Sequence, residues 1–86
     1  MQFAEDVAAA ADLDDDVRIG LVEDALMAGE WFLAITDAVI NTRTPLPADW
    51  LHTVRDGIPD WLAADCASRL TAAIDRQLAE LSAGAS

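Results

Sequence analysis

Four carboxylates near the N-terminus stand at the spacing of a calcium loop. In Asp12-Leu13-Asp14-Asp15-Asp16-Val17-Arg18-Ile19-Gly20-Leu21-Val22-Glu23, Asp12, Asp14, Asp16 and Glu23 hold the first, third, fifth and twelfth positions, and Ile19 fits the apolar eighth. The sixth position of such a loop must turn sharply through positive φ, and Val17 stands there. A β-branched side chain is a poor occupant of that conformation. No second loop is present to pair with this one, and a helical stripe competes for the same residues. Zinc lacks ligands of the usual types, because Cys66 and His52 are the single cysteine and the single histidine. Cys66 is expected to be a core thiol and His52 a solvated side chain. The chain has no Gly-rich phosphate loop and no nucleophile elbow. Carboxylate pairs are abundant through composition alone and so do not specify acid-base catalysis. The residues therefore point to a protein that binds rather than catalyses, with no metal and no cofactor.

Charge indicates what such a protein would bind. Sixteen Asp and Glu face five Arg and no Lys, for a net charge of -11. A surface of this kind repels DNA, RNA and anionic membranes and attracts a basic protein partner. The acidic candidates for that contact are Asp16, Glu23, Asp24, Glu30 and Asp37, with Asp49 and Asp56 as a second group. Trp61 joins them because it falls off the buried stripe of its expected helix, and Trp is enriched among residues that carry binding energy. Trp31 and Trp50 fit core stripes.

Helices must position these side chains. Apolar residues make up 53% of the 86 residues, enough for a packed fold, and no stretch alternates with a period of two. The expectation is an all-α fold, a single-domain bundle of four to five helices spanning residues 1–86. At its centre lies an apolar helix over about residues 30–43, apolar around most of its circumference and so in need of cover on several sides. A short helix over 3–11 is anchored by Phe3, with Val7, Ala10 and Ala11 on its stripe. Residues 15–28 follow, capped by Asp12, Asp14 or Asp15, with Val17, Leu21, Val22, Ala25, Leu26 and Ala28 inward, Ile19 at the edge, and Arg18 paired to Asp14. Gly29 stops that helix through a left-handed conformation. Thr44-Pro45-Leu46-Pro47 ends the central helix and opens another over 47–56, which Gly57 closes. Asp60 caps a last helix over 60–82, with Ala63, Ala67, Leu70, Ile74, Leu78 and Leu81 in its stripe and Asp65, Arg69, Arg76 and Glu80 opposite. Residues 82–86 are expected to fray. The first residues lack the basic and apolar segments of a signal peptide, and no apolar run approaches the roughly 20 residues that span a bilayer, so a cytoplasmic location is expected.

Part of this pattern resembles a known family. Ala25-Leu26-Met27-Ala28-Gly29-Glu30, an aromatic residue, Leu33-Ala34-Ile35 and then Pro45-Leu46-Pro47-Ala48 are similar to small bacterial immunity proteins of the Maf immunity type. That family carries a similar Ala-Gly-Glu corner, an apolar helix and a Pro-Leu-Pro-like opening to the next helix. The resemblance covers residues 18–58, and Asn41-Thr42-Arg43 stands where the family carries an acidic, Tyr-containing stretch. It implies an antitoxin that neutralises the toxic domain of a polymorphic toxin, such as a nuclease with a basic cleft. An acidic helix face would fill that cleft and stand in for phosphates. Two other readings share the composition. One is a phage or mobile-element nucleic-acid mimic that blocks a host DNA-binding protein. The other is a helical dimer or adaptor that buries Trp61 between subunits.

Overall fold

The computed structural model describes residues 2–84 and is all-helical, with no strand among them. Five helices form the bundle: α1 (Gln2–Ala10), α2 over residues 15–27, α3 (Trp31–Asn41), α4 (Ala48–Asp56) and α5 (Ala64–Gly84). Helix α3 is the central one, packed against α1, α2 and α5, while α4 packs on α5. Phe32, Ala34, Ile35, Thr36, Ala38 and Val39 of α3 are all buried. Thr36 tolerates this because its hydroxyl donates to the Phe32 carbonyl at 2.9 Å.

Helix α1 buries Ala4, Val7 and Ala8, and Ala11 just beyond its end is also buried, whereas Ala10 is exposed. Small side chains on that track let α1 lie close against α3. Phe3 is half-buried and meets Trp50 edge to face, with ring centroids 5.7 Å apart.

Helix α2 departs most from the expected pattern. It begins as α-helix over Asp15–Val17, widens to a π-helical segment over Arg18–Glu23, and returns to α-helix over Asp24–Met27. Pairing from i to i+5 places more residues in each turn. Val17 and Val22, five apart, therefore both pack inward, where an ordinary helix would have turned Leu21 toward the core. Ile19, Leu21, Met27 and Ala28 lie on the exposed surface, so Leu21 and Ala28 are not core residues as the 3.6-residue period predicts. Gly20 in the middle of the segment weakens the preference for a regular helix. Arg18 opens the widened segment and reaches across to α1. Its guanidinium donates to the carbonyls of Ala8 at 2.7 Å and Ala11 at 2.8 Å, at the C-terminal end of α1. A cation there satisfies carbonyls that the helix leaves open and offsets their partial negative charge. Arg18 thus pairs with α1 and not with Asp14.

The corner after α2 forms as expected. Gly29 has φ of 80°. Its N–H bonds the Leu26 carbonyl at 3.2 Å and the Glu30 N–H bonds that of Ala25 at 2.9 Å, closing the helix end in a Schellman pattern.

Helix α5 starts four residues later than expected. The Leu62 N–H bonds the Pro59 carbonyl at 3.2 Å and closes a turn through Asp60 and Trp61. Asp60 therefore lies in a turn and does not cap the helix, and Ala63 is exposed. Leu62 swings into the core and Trp61 outward. At the other end, residues 82–84 continue the helix instead of fraying, and Ala85 and Ser86 lie outside the described residues. No described helix is long and apolar enough to cross a membrane.

Candidate functional site

The two ends of α3 have opposite character. At its C-terminal end the Arg43 N–H leaves the helical ladder and bonds the Asp12 carbonyl at 2.9 Å. Its guanidinium reaches Asp12 at 2.8 Å and Asp14 at 2.7 Å. Those two carboxylates hold the Arg43 cation even more firmly protonated than an ordinary arginine. The Asp12 N–H also bonds the Thr42 hydroxyl at 3.0 Å, and that hydroxyl donates to the Thr44 carbonyl at 2.8 Å. The first two ligands of the would-be calcium loop are thus tied to Arg43, and residues 15–23 are helix rather than loop. Among the described residues no group of three or more His, Cys, Asp or Glu is arranged to hold a metal ion. Asp14 occupies the N-cap position of α2 without a side-chain cap bond, so its carboxylate serves Arg43 and not the helix.

Departure of the Arg43 N–H leaves the Val39 carbonyl without its usual partner. Gln77, on α5 and only 2% exposed, fills the gap. Its Nε2 donates to the Val39 carbonyl at 2.7 Å, and its Oε1 accepts from the Leu46 N–H at 2.9 Å. One buried amide thereby satisfies the end of α3 and the Pro45-Leu46-Pro47 connection together.

The N-terminal end of α3 is open. Gly29, Glu30, Trp31, Phe32 and Leu33 form one wall of a groove of ≈ 410 Å³, and Gly57, Pro59 and Trp61 form the other. Trp31 is 45% exposed and Trp61 65% exposed. Both rings meet Phe32 edge to face, at 6.3 Å and 6.2 Å between centroids, so the buried Phe32 links the two exposed indoles. Trp31 is therefore a groove residue and not the core residue its spacing suggests. A smaller space of ≈ 160 Å³ shares Trp31, Phe32 and Gly57 with the groove and is also lined by Phe3, Ile35, Thr53 and Val54. Glu30 precedes α3 and makes no side-chain bond to cap it. The first-turn N–H groups of Trp31, Phe32 and Leu33 have no acceptor among the described residues.

The acidic candidates divide by location. Glu30 and Trp61 come together in the groove. Asp56 ends α4 beside the groove residue Gly57, and Asp49 lies in the first turn of the same helix. Asp16, Glu23 and Asp24 are exposed along α2. Asp37 is half-buried on α3, where burial raises its carboxyl above the ordinary value while Arg69 on α5 pulls it back down. His52 is exposed and Cys66 half-buried against the core. Arg55 pairs with Asp75 between α4 and α5. Arg18, Arg43 and Arg55 thus spend their charge on partners within the protein, which leaves carboxylates to dominate the surface field. Sequence spacing missed Trp31, Phe32 and Pro59 as groove residues. The available signal was Trp61 lying off its stripe just after Gly57 and Pro59. Compared with models of known protein families, with curated proteins and with solved structures, the chain matches none.

Proposed function

We propose that this protein is an acidic binding module that docks on a basic protein and inhibits it. Within that class we read it as a cytoplasmic immunity protein, an antitoxin for the toxic domain of a polymorphic toxin, in line with the family resemblance of residues 18–58. The observation that carries the reading is the open aromatic groove at Glu30, Trp31 and Trp61, set in a chain of net charge -11. Aromatic rings exposed beside unpaired carboxylates suit a central anchor with a charged surround. Charge speeds encounter, and the desolvated anchor slows release. The contact surface centres on Glu30 and Trp61. It extends along α2 through Asp16, Glu23 and Asp24, and along α4 through Asp56 and Asp49. Asp37 contributes less, because Arg69 faces it.

Capture from the native host tests this. At low salt the protein should retain a basic partner that high salt releases, and added protein should silence that partner's activity. A tightest binder that resists high salt and docks away from the carboxylates ends the reading. One observation favours a second reading as a self-associating helical adaptor: Ile19, Leu21 and Met27 of α2 are exposed, Met27 by 88%. Sedimentation would then show a dimer that Met27→Glu dissociates.

A further inference from the structure

We infer that the groove at the N-terminal end of α3 is a receptor for an arginine side chain presented on an extended segment of the partner. This rests on the reading of the protein as a module for a basic partner, and it names what that partner inserts. Three features of the groove match three parts of such a ligand. The exposed indoles of Trp31 and Trp61 offer π faces, and a guanidinium attracted to the ring quadrupole prefers Trp above other aromatics. Glu30 in the same groove has no cationic partner among the described residues and can accept the forked N–H pair of a guanidinium. The unpaired N–H groups of Trp31, Phe32 and Leu33 are donors that suit main-chain carbonyls of the segment carrying that arginine.

Arginine fits better than lysine. Its plane can lie along an indole while its edge meets the carboxylate, whereas an ammonium is a compact and strongly hydrated point charge. The volume of ≈ 410 Å³ leaves room for backbone as well as side chain. The net charge of -11 disfavours an anionic occupant, although three helix amides point that way. None of the chain's five arginines lines the groove, and Arg18, Arg43 and Arg55 are bonded elsewhere.

The probe is a short capped peptide, acetyl-Gly-Arg-Gly-amide, and its neutral counterpart with citrulline in place of arginine. Titration is followed by the indole N–H resonances of the three tryptophans. Trp50, packed on Phe3 outside the groove lining, serves as the internal reference. The arginine peptide should shift Trp31 and Trp61 and leave Trp50 in place. The citrulline peptide should bind at least about threefold more weakly, and Trp61→Ala and Glu30→Gln should each weaken arginine binding by about two- to fivefold. Equal shifts from the two peptides, shifts centred on Trp50, or binding unchanged in both variants would overturn the inference. The two proposals fail separately. A basic partner that still binds and is still inhibited by Trp61→Ala and Glu30→Gln at full strength removes the arginine receptor and the groove as contact centre, and leaves inhibition of a basic partner standing. Arginine binding without any inhibited basic partner removes the inhibitor reading.

Discussion

Helix α3 is roughly 16 Å long and meets two different environments at its ends. At Asn41 the chain is locked by Arg43, Thr42 and Gln77, each bonded across at least one element boundary. At Trp31 the helix starts without a side-chain cap, beside a groove where the exposed Trp31 and Trp61 rings each meet the buried Phe32. The contrast sets internal satisfaction of polar groups at one end of α3 against exposed apolar area at the other. One end satisfies its polar groups internally and fixes the helix. The other leaves apolar area and hydrogen-bonding groups unspent, which is what a binding surface requires.

The contrast can be broken first at the locked end. Gln77→Leu removes both bonds of the bridging amide and leaves the Val39 carbonyl and the Leu46 N–H buried without partners. The expected loss is about 2–5 kcal/mol, read by urea or thermal unfolding. A loss below about 1 kcal/mol would show that this amide does not lock the helix end. Next in size is Arg18→Ala, which frees two carbonyls at the end of α1 and should cost about 1.5–3 kcal/mol. Arg18→Lys should recover only part of that, because one ammonium cannot reproduce the forked geometry.

The open end should respond in the opposite sense. Trp61→Ala removes a mostly exposed ring and one edge-to-face contact, for a loss of stability of about 0.5–1 kcal/mol. The same change should reduce affinity for a basic partner. If it unfolds the protein instead, the groove is part of the core and the contrast between the ends disappears.

Asp37 gives the smallest effect and a pH signature. Its carboxyl is raised by burial, with Arg69 acting in opposition. A carboxylate with a raised folded value opposes folding when charged, at pH above that value. The penalty fades as pH falls through the raised value and is gone below the ordinary carboxylate range of about 4. Asp37→Asn should therefore stabilise the protein modestly at neutral pH and match the parent in acid. Paired denaturation curves across that range check the sign. A variant less stable than the parent at neutral pH would mean that attraction to Arg69 outweighs the cost of burial.

Much of the architecture was legible from local pattern. The five helices, the stop at Gly29, the Pro45-Leu46-Pro47 connection and the end at Gly57 follow from residues that restrict their own dihedrals or lack a donor. The burial of α3 follows from its nearly unbroken apolar surface. The candidate site was legible only in fragments. Trp61 and Glu30 could be singled out separately, one for breaking its stripe and one for its charge, but 31 positions of chain separate them. Trp31 was misread because a helix period gives the direction of a side chain but not where the neighbouring helices end. Leu21 was misread because the π-helical segment changes the period itself.

The amino-acid sequence alone determined an acidic, wholly helical chain with a covered central helix and definite stops, because dihedral preference, apolar period and net charge are properties of a few neighbouring residues or of composition. Tertiary structure alone decided that Arg18 closes α1, that Gln77 satisfies Val39 from 38 positions away, and that Trp31 and Trp61 share one groove. Those outcomes depend on which backbone groups each helix end leaves unpaired and which side chains from distant segments can reach them. That is settled only when the helices pack.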